Sequence, residues 1–269
     1  MLPATAVRQG DFVEKLRAAI SPFIPFRVKR MLLATVFFDR PSKLALRSYG
    51  SFEMAFRKGT ADEAVLKRSF EHDELLAAVP EYVPSVYDTI IDVGAHVGGF
   101  ALLAASKVPQ GRVFAIEASA DTFDFLRINV ALNRAANIST HHLALLDRRG
   151  TCTLHHDWGN WGHSAVKRLS YRSEEVSCCT LAGFMDEQHI AHCDFIKLNC
   201  EGAEFPILLS SSVATLQKFS RMLVLYHGDL WSKQTESDLI RHLTDCGFRC
   251  DVRNKTEKRG WIFAQRVTP

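Results

Sequence analysis

A short apolar run that leads into a glycine-rich turn is the feature that most constrains the fold of this chain. The run Ile90–Val93 is followed directly by Gly94–Phe100, with the sequence GAHVGGF, and a helical segment comes next. Glycine lets the backbone bend sharply and approach a ligand that a Cβ would exclude. The start of the helix offers unpaired amide groups to a ligand. The sequence therefore predicts a strand, a cofactor-binding turn and a helix.

The turn differs from the fingerprint of dinucleotide-binding proteins. That fingerprint, G-x-G-x-x-G, requires a second glycine where His96 stands. Because a side chain at this place hinders the close approach of a pyrophosphate, we expect a cofactor that has none. The residues of this segment that we predict to contact the cofactor are Asp92, Gly94, Ala95, His96, Gly98 and Phe100.

Short apolar runs alternate with amphipathic segments from residue 87 onward. Runs of this kind, rich in β-branched residues, are typical of strands that are buried on both faces of a parallel sheet. Because crossovers between parallel strands are right-handed, the alternation predicts a doubly wound sheet. The five predicted core strands are Thr89–Val93, Arg112–Glu117, Ile138–Leu143, Asp194–Asn199 and Arg221–Tyr226.

The C-terminal part of the chain changes character. A predicted helix at Thr235–Asp245 is followed by two strand-like runs, Phe248–Val252 and Trp261–Gln265, with a polar turn between them. The expected fold is an α/β, Rossmann-like, doubly wound sheet that is mostly parallel and ends in an antiparallel hairpin. We assign residues 86–269 to the cofactor-binding catalytic domain and residues 1–85 to an N-terminal helical cap on the substrate side.

Two segments of the predicted cap, Phe12–Ile20 and Val28–Phe38, have helical apolar spacing with basic residues interleaved. We favour a cap or substrate lid, and contact with a membrane surface or a dimer partner are the alternatives. Prolines and basic residues interrupt Leu16–Phe38 well short of the ~20 apolar residues of a spanning helix. Because the first ten residues also lack the pattern of a signal peptide, we expect a cytoplasmic protein.

The composition narrows the classes of partner. The net charge is +3 and the basic residues are scattered, so we expect no nucleic-acid partner. The seven cysteines are odd in number and lack the spacing of a small disulfide scaffold, which favours free thiols in a reducing compartment. Cys246 and Cys250 have no second pair of ligands nearby in the sequence, so we expect no metal site.

Glu117 ends the second predicted strand. An acidic side chain at this place can accept hydrogen bonds from both hydroxyls of a ribose. An ordinary solvated glutamate is the alternative, but the glycine turn one strand earlier favours the ribose interpretation. We therefore predict that Glu117 and its neighbour Ala118 contact the cofactor.

A third marker is the polar segment that ends the fourth predicted core strand. With it, the chain from Arg57 onward resembles the FkbM family of methyltransferases, which show a DVGA-x-x-G turn, an acidic second-strand end and an I-K-x-D-x-E-G-x-E segment. The segments that carry the resemblance are Arg57–Glu63, Asp92–Gly98, Asn129–Asn133, Ala144–Asp147 and Ile196–Glu204.

This resemblance implies the class I methyltransferase fold, S-adenosylmethionine as cofactor, and contacts from Ala144 and Leu145 on the adenine side. It also implies methylation of a hydroxyl in a sugar, glycolipid or secondary metabolite, so a small molecule or glycan is the expected acceptor. A non-catalytic cofactor-binding scaffold, an RNA methyltransferase and a nicotinamide oxidoreductase are the alternatives, of which His96 and the reversed hairpin disfavour the last.

One residue departs from the family pattern: Asn199 stands where the family usually has Asp. An amide cannot act as a carboxylate base. We expect Asn199 to orient the methionine amino group or the acceptor hydroxyl, and we assign it to both the cofactor and the catalytic set.

The candidates for the base that removes the acceptor proton are His163, Glu201 and His227. The sequence favours one of the two histidines: His163 lies in a loop rich in Gly, His and Trp, and His227 ends the fifth strand. Trp158 and Trp161 lie in the same loop. Stacking on a sugar and packing within the loop are equally good interpretations of these two residues.

Overall fold

The computed structural model describes residues 44–71, 76–157 and 162–267. The helices within these ranges are α1 (Asp62–Phe70), α2 (Gly99–Lys107), α3 (Ala120–Leu132), α4 (Leu181–Glu187), α5 (Glu204–Ser210), α6 (Val213–Leu216) and α7 (Glu236–Asp245). The strands are β1 (Leu44–Tyr49), β2 (Phe52–Arg57), β3 (Thr89–Val93), β4 (Arg112–Glu117), β5 (Ile138–His142), β6 (Ala144–Leu145), β7 (Gly150–His155), β8 (Ser173–Cys179), β9 (Cys193–Leu198), β10 (Phe219–His227), β11 (Phe248–Arg253) and β12 (Arg259–Arg266).

A seven-stranded sheet forms the centre of the described structure, with the order β11-β12-β10-β9-β3-β4-β5. The five strands from β10 to β5 are parallel, and β12 is antiparallel to both of its neighbours. The predicted class I methyltransferase sheet with its C-terminal antiparallel hairpin is confirmed. The strand order reverses at β3 and β9, and ligands of such sheets bind at this point, outside the carboxyl ends of the strands.

Two apolar layers cover the faces of this sheet, which explains the almost continuous apolar runs of its inner strands. One layer includes α4, α5 and α7, and the other includes α2 and α3. The predicted boundaries of β3 and β4 match the observed ones, and those of the other predicted strands differ by at most two residues, as in β10, which begins at Phe219 and ends at His227.

The long segment between β5 and β9 contains a small three-stranded sheet, in the order β6-β8-β7, that the apolar runs did not predict. Strand β7 buries only alternate residues, Cys152 and Leu154, and β8 buries Val176 and Cys178 in the same alternation before ending in buried Cys179. Alternation over so few residues is a weak signal.

Residues 44–57 form an antiparallel hairpin, which corrects the prediction of a purely helical cap. Its two-residue turn contains Gly50 with a φ of +61°, the left-handed backbone that tight hairpin turns require. The two amphipathic segments predicted between residues 12 and 38 lie outside the described residues, so membrane contact there stays a prediction. Among the described residues, no helix combines the length and the apolar character that crossing a bilayer requires.

The hairpin and α1 share a hydrophobic core with the central sheet. Met54, Phe56 and Leu66 belong to the same buried cluster as residues of α2. Asn129, which is completely buried on α3, accepts a hydrogen bond from the Ala55 amide and donates to the Ala55 carbonyl. The division of the chain at residue 85 stays a prediction, and the described part of the N-terminal segment packs as a continuation of the same core.

The turn after β3 lies against the end of β9. Gly94 has a φ of +75°, and a Cβ built on it would overlap the carbonyl oxygen of Asn199 and lie 2.8 Å from its carbonyl carbon. The neighbour here is backbone, which cannot move aside as a side chain would. The absence of a Cβ at Gly94 therefore allows the ends of β3 and β9 to pack closely.

We expect Gly94→Ala to lower the free energy of unfolding by about 2–5 kcal/mol, from left-handed backbone strain together with overpacking. Gly59 is the matched control, because its φ is +73° and nothing lies within 4 Å of a Cβ built on it. Gly59→Ala should cost only about 1–2 kcal/mol. Urea unfolding of both variants measures the difference, and equal losses would contradict the packing argument.

Candidate functional site

A cavity opens at the carboxyl ends of β3, β4 and β9 and encloses about 1120 Å³, including space that is open to solvent. Most of the predicted cofactor residues line it: Gly94, Ala95, His96, Phe100, Glu117, Ala118, Ala144, Leu145 and Asn199. Two predicted cofactor residues, Asp92 and Gly98, do not. Two of the predicted catalytic residues besides Asn199, namely His163 and Glu201, also line the cavity.

Glu117 is held at the end of β4 by two backbone amides. Its Oε2 accepts from the His96 amide at 2.9 Å, and its Oε1 accepts from the Ser119 amide at 2.9 Å. An ionised carboxylate has about four acceptor positions, so each oxygen keeps capacity for one more donor. The carboxylate is thus fixed against the cavity with acceptor capacity left for a ligand.

Asp92 is completely buried beneath the turn, so its predicted contact with the cofactor lacks a basis in the geometry. Its Oδ1 accepts from Lys197 Nζ at 2.7 Å, and Lys197 also donates to the Gly94 carbonyl at 2.9 Å. Burial raises the pKa of the Asp92 carboxyl, and the Lys197 ammonium opposes that shift. The ammonium of Lys197 therefore stabilises the turn through its bonds to Asp92 and Gly94.

Gly98 precedes α2 with a φ of +91°, and a Cβ built on it would lie 2.7 Å from Leu126 Cδ1. Its position serves the packing of α2 against α3 rather than a ligand. The sequence pattern correctly indicated a glycine that cannot be replaced freely, but a pattern cannot tell what occupies the space of the missing Cβ.

Sequence reasoning missed Arg57 and Asp62 as functional residues. Arg57 Nε and Nη2 donate to the two oxygens of Asp62 at 2.8 and 2.9 Å, and Asp62 Oδ1 lies 3.7 Å from His96 Nε2. Burial would raise the pKa of the Asp62 carboxyl, but the bonds from Arg57 overcome it and lower that pKa. The N-terminal segment thus places a fixed negative charge behind His96. The signal was available, since both residues lie in the segment that resembles the family.

Asn199 follows β9 directly and donates its backbone amide to the Val93 carbonyl at 3.0 Å. Asn199 lines the cavity, and its side-chain Oδ1 is buried and accepts no hydrogen bond from the described residues. Buried polar atoms are nearly always satisfied, so this oxygen calls for a donor from a ligand.

His163 lines the cavity but is poorly suited to accept a proton. Its Nδ1 accepts from the Asp157 amide at 3.1 Å, so the neutral ring carries its hydrogen on Nε2. Burial, with a smaller contribution from neighbouring His156, lowers the pKa of His163 to about 3. This arrangement favours His163 as a hydrogen-bond donor and disfavours it as the base. Trp158 and Trp161 lie outside the described residues.

His227 is completely buried and does not line the cavity. Its Nδ1 lies 3.0 Å from Glu204 Oε1, and its Nε2 lies 3.5 Å from Glu201 Oε2. Burial alone would lower the pKa of His227, but Glu204 and then Glu201 raise it above the ordinary value. Glu201 therefore stands between the imidazole and the cavity, and direct contact of His227 with an acceptor lacks a basis in the geometry.

Residues 92–250 match the profile of the Methyltransferase FkbM domain, which is more than half of the chain. The chain belongs to the FkbM methyltransferase family. The predicted family, the enzyme class and the cofactor, S-adenosylmethionine, are thereby confirmed. The family match does not identify the acceptor.

Solved structures of methyltransferases are similar to the chain at low identity. The FkbM methyltransferase from Methylobacillus flagellatus is 13% identical, with a TM-score of 0.49 over 95% of this chain and 59% of that one. Precorrin-6y C5,15-methyltransferase from Geobacter metallireducens is 14% identical, with a TM-score of 0.45 over 72% and 88%. Aeropyrum pernix fibrillarin, crystallised with S-adenosylmethionine, is 17% identical, with a TM-score of 0.43 over 70% and 73%. No curated protein sequence matches the chain.

Proposed function

We propose that this FkbM-family methyltransferase transfers a methyl group to a hydroxyl of a sugar, glycolipid or secondary metabolite. The observation that carries the proposal is the Glu201 carboxylate, which lines the cavity close along the chain to the unsatisfied oxygen of Asn199. A hydroxyl must lose a proton when it is methylated, and a carboxylate beside the reacting oxygen can receive it.

The cavity supports a distinct contact for each part of S-adenosylmethionine, which supplies an electrophilic methyl group when it is bound. Glu117 would accept from the ribose hydroxyls with its remaining acceptor capacity. Ala144 and Leu145 are buried and would form an apolar surface for the adenine ring. The Oδ1 of Asn199 would accept from the methionine ammonium, which satisfies a buried acceptor that the protein leaves unpaired.

The remainder of the cavity wall supports a partly apolar acceptor. Val65, Leu225 and Trp261 provide apolar surface, and Ser69 and Arg68 provide polar groups. An aromatic ring beside polar groups suits the mixed faces of a sugar ring. The scattered basic residues of the chain still argue against a nucleic-acid acceptor.

An acceptor screen tests the proposal. We expect labelled S-adenosylmethionine to transfer its methyl group to a hydroxyl compound in a small-molecule or glycan extract, with S-adenosylhomocysteine formed in equal amount. Mass analysis of the labelled product identifies the methylated atom. Labelled RNA from a parallel reaction, or a methylated nitrogen or carbon, would contradict the proposal.

We expect Glu117→Ala to weaken S-adenosylmethionine binding by about 1.5–3 kcal/mol, roughly 10- to 150-fold in Kd, because charge-assisted hydrogen bonds to the ribose disappear. Calorimetry measures the affinity. Unfolding is measured in parallel, since Glu117 also accepts two backbone bonds. Glu187→Ala, on an exposed side chain outside the cavity, is the control. Unchanged affinity in a folded Glu117 variant would remove the ribose assignment.

We expect Asn199→Asp to keep the affinity for S-adenosylmethionine within a few fold and to change kcat only modestly, because Asp still accepts a hydrogen bond but no longer donates one. Asn254→Asp, on an exposed turn, controls for the added charge. If the chain instead lacks its base at this position, kcat should rise by roughly 10²-fold or more. Steady-state kinetics with the acceptor from the screen separates the two outcomes.

A further inference from the structure

Three side chains form a row that leads from the buried end of α5 to the cavity: Glu204, His227 and Glu201. Glu204 and His227 are completely buried, and Glu201 lies at the cavity wall with 18% of its side chain exposed. His227 comes from the end of β10, whereas the two glutamates come from the turn after β9 and the start of α5. Parallel pairing of β9 and β10 brings the three together.

Glu204 fixes the imidazole at the buried end of the row. Its Oε1 accepts from the Cys200 amide at 2.7 Å and its Oε2 accepts from the Gly202 amide at 2.8 Å. An ionised carboxylate only accepts, so the His227 Nδ1 at 3.0 Å must donate to it. The ring is thereby oriented with Nε2 towards Glu201, as a carboxylate orients an imidazole in catalytic triads.

Glu201 is constrained at the cavity end. Its φ of +51° places a non-glycine residue in left-handed backbone, a strained conformation that persists only where the surrounding structure holds it. Ser164 Oγ donates to the Glu201 carbonyl at 2.7 Å. Gly162 lies over the carboxylate, and a Cβ at that position would overlap it. A strained backbone that aims a carboxylate into a cavity points to a functional role.

Burial and the surrounding groups together leave the pKa of the Glu201 carboxyl raised, which suits a carboxylate that takes up a proton. The charged or titratable groups that act on it are His227, Glu204, Arg259, Asp229 and the thiol of Cys200. Burial raises the pKa of Glu201, and the His227 imidazolium limits that rise. Arg259 also lowers it, but its guanidinium is paired with the Asp229 carboxylate at 2.7 and 2.9 Å.

We propose that Glu201 accepts the proton of the acceptor hydroxyl, and that His227 and Glu204 are positioning residues that hold Glu201 in place as a carboxylate. The proposal rests on the proposed function, because it assumes a hydroxyl acceptor. The bond between the acceptor oxygen and the methyl carbon forms while the sulfur–methyl bond breaks. The O–H electron pair stays on the oxygen and the proton passes to Glu201, so a carboxylate and a sulfonium become a neutral acid and a neutral thioether. His227 keeps its proton throughout, and Glu201 returns its proton to solvent at the cavity.

The first test needs no acceptor. The pKa of His227 can be measured by nuclear magnetic resonance titration of histidine-labelled protein, in which the His227 signal is the one lost in His227→Gln. We expect this pKa to lie above the ordinary histidine value. Glu201→Gln and Glu204→Gln should each lower the His227 pKa, because each removes a negative charge beside the ring. Glu187→Gln should leave it unchanged, since that glutamate is exposed and pairs with Arg149 instead. A His227 titration that Glu201→Gln does not move would overturn the proposal.

The second test uses the acceptor from the screen. Glu201→Gln should lower kcat by roughly 10²-fold or more, with the Kd for S-adenosylmethionine unchanged within a few fold. In His227→Gln the loss of the positive charge should raise the pKa of Glu201, so the acid limb of the rate profile should move to higher pH. His192→Gln, at an exposed histidine beside Asp194, is the control. A Glu201→Gln variant that loses cofactor affinity but keeps kcat would make Glu201 a binding residue and sink the proposal. Failure of the screen would count against the hydroxyl acceptor alone, since the titration tests the row separately.

Discussion

The contact between the ends of β3 and β9 is the constraint on which the site depends. The Asn199 carbonyl lies so close to Gly94 that no Cβ would fit between them. Lys197 on β9 donates hydrogen bonds to Asp92 and to the Gly94 carbonyl, and so joins β9 to the turn. With the two ends fixed in this way, the His96 amide reaches Glu117 and the Asn199 side chain faces the cavity. A buried ion pair of this kind contributes little net stability, but removing either partner leaves an uncompensated charge.

The N-terminal hairpin and α1 extend this support beyond the residues that match the family profile. Arg57 and Asp62 stand behind His96, and Asn129 joins the hairpin to α3 through bonds to Ala55. An amide side chain suits this contact, because it can accept from the Ala55 amide and donate to the Ala55 carbonyl at the same time. The described part of the N-terminal segment is therefore a support of the cofactor turn as well as a cover.

Two glutamates at the cavity have different surroundings and, we propose, different tasks. Glu117 accepts hydrogen bonds from two backbone amides, which fix its carboxylate at the cavity. Glu201 accepts no such amide bonds among those described, and it lies near a buried imidazole. The same side chain is thus held as a fixed acceptor at the end of β4 and as a group able to change protonation after β9.

The sequence by itself determined the central strands, the glycine turn, the acidic end of β4, the terminal hairpin and the family. Each of these depends on residues that are close together in sequence and have a fixed periodicity or spacing. It could not determine which polar side chains reach the cavity. Asp92 was predicted to face the cofactor, yet it is buried against Lys197, which lies on the neighbouring strand β9 but 105 residues away in sequence. His227 was favoured as a base, and only the pairing of β9 with β10 places Glu201 between it and the cavity. The β1–β2 hairpin and the small three-stranded sheet were also decided by tertiary packing. The surroundings of a side chain depend on segments that are remote in sequence, and a local sequence pattern does not predict which segments these are.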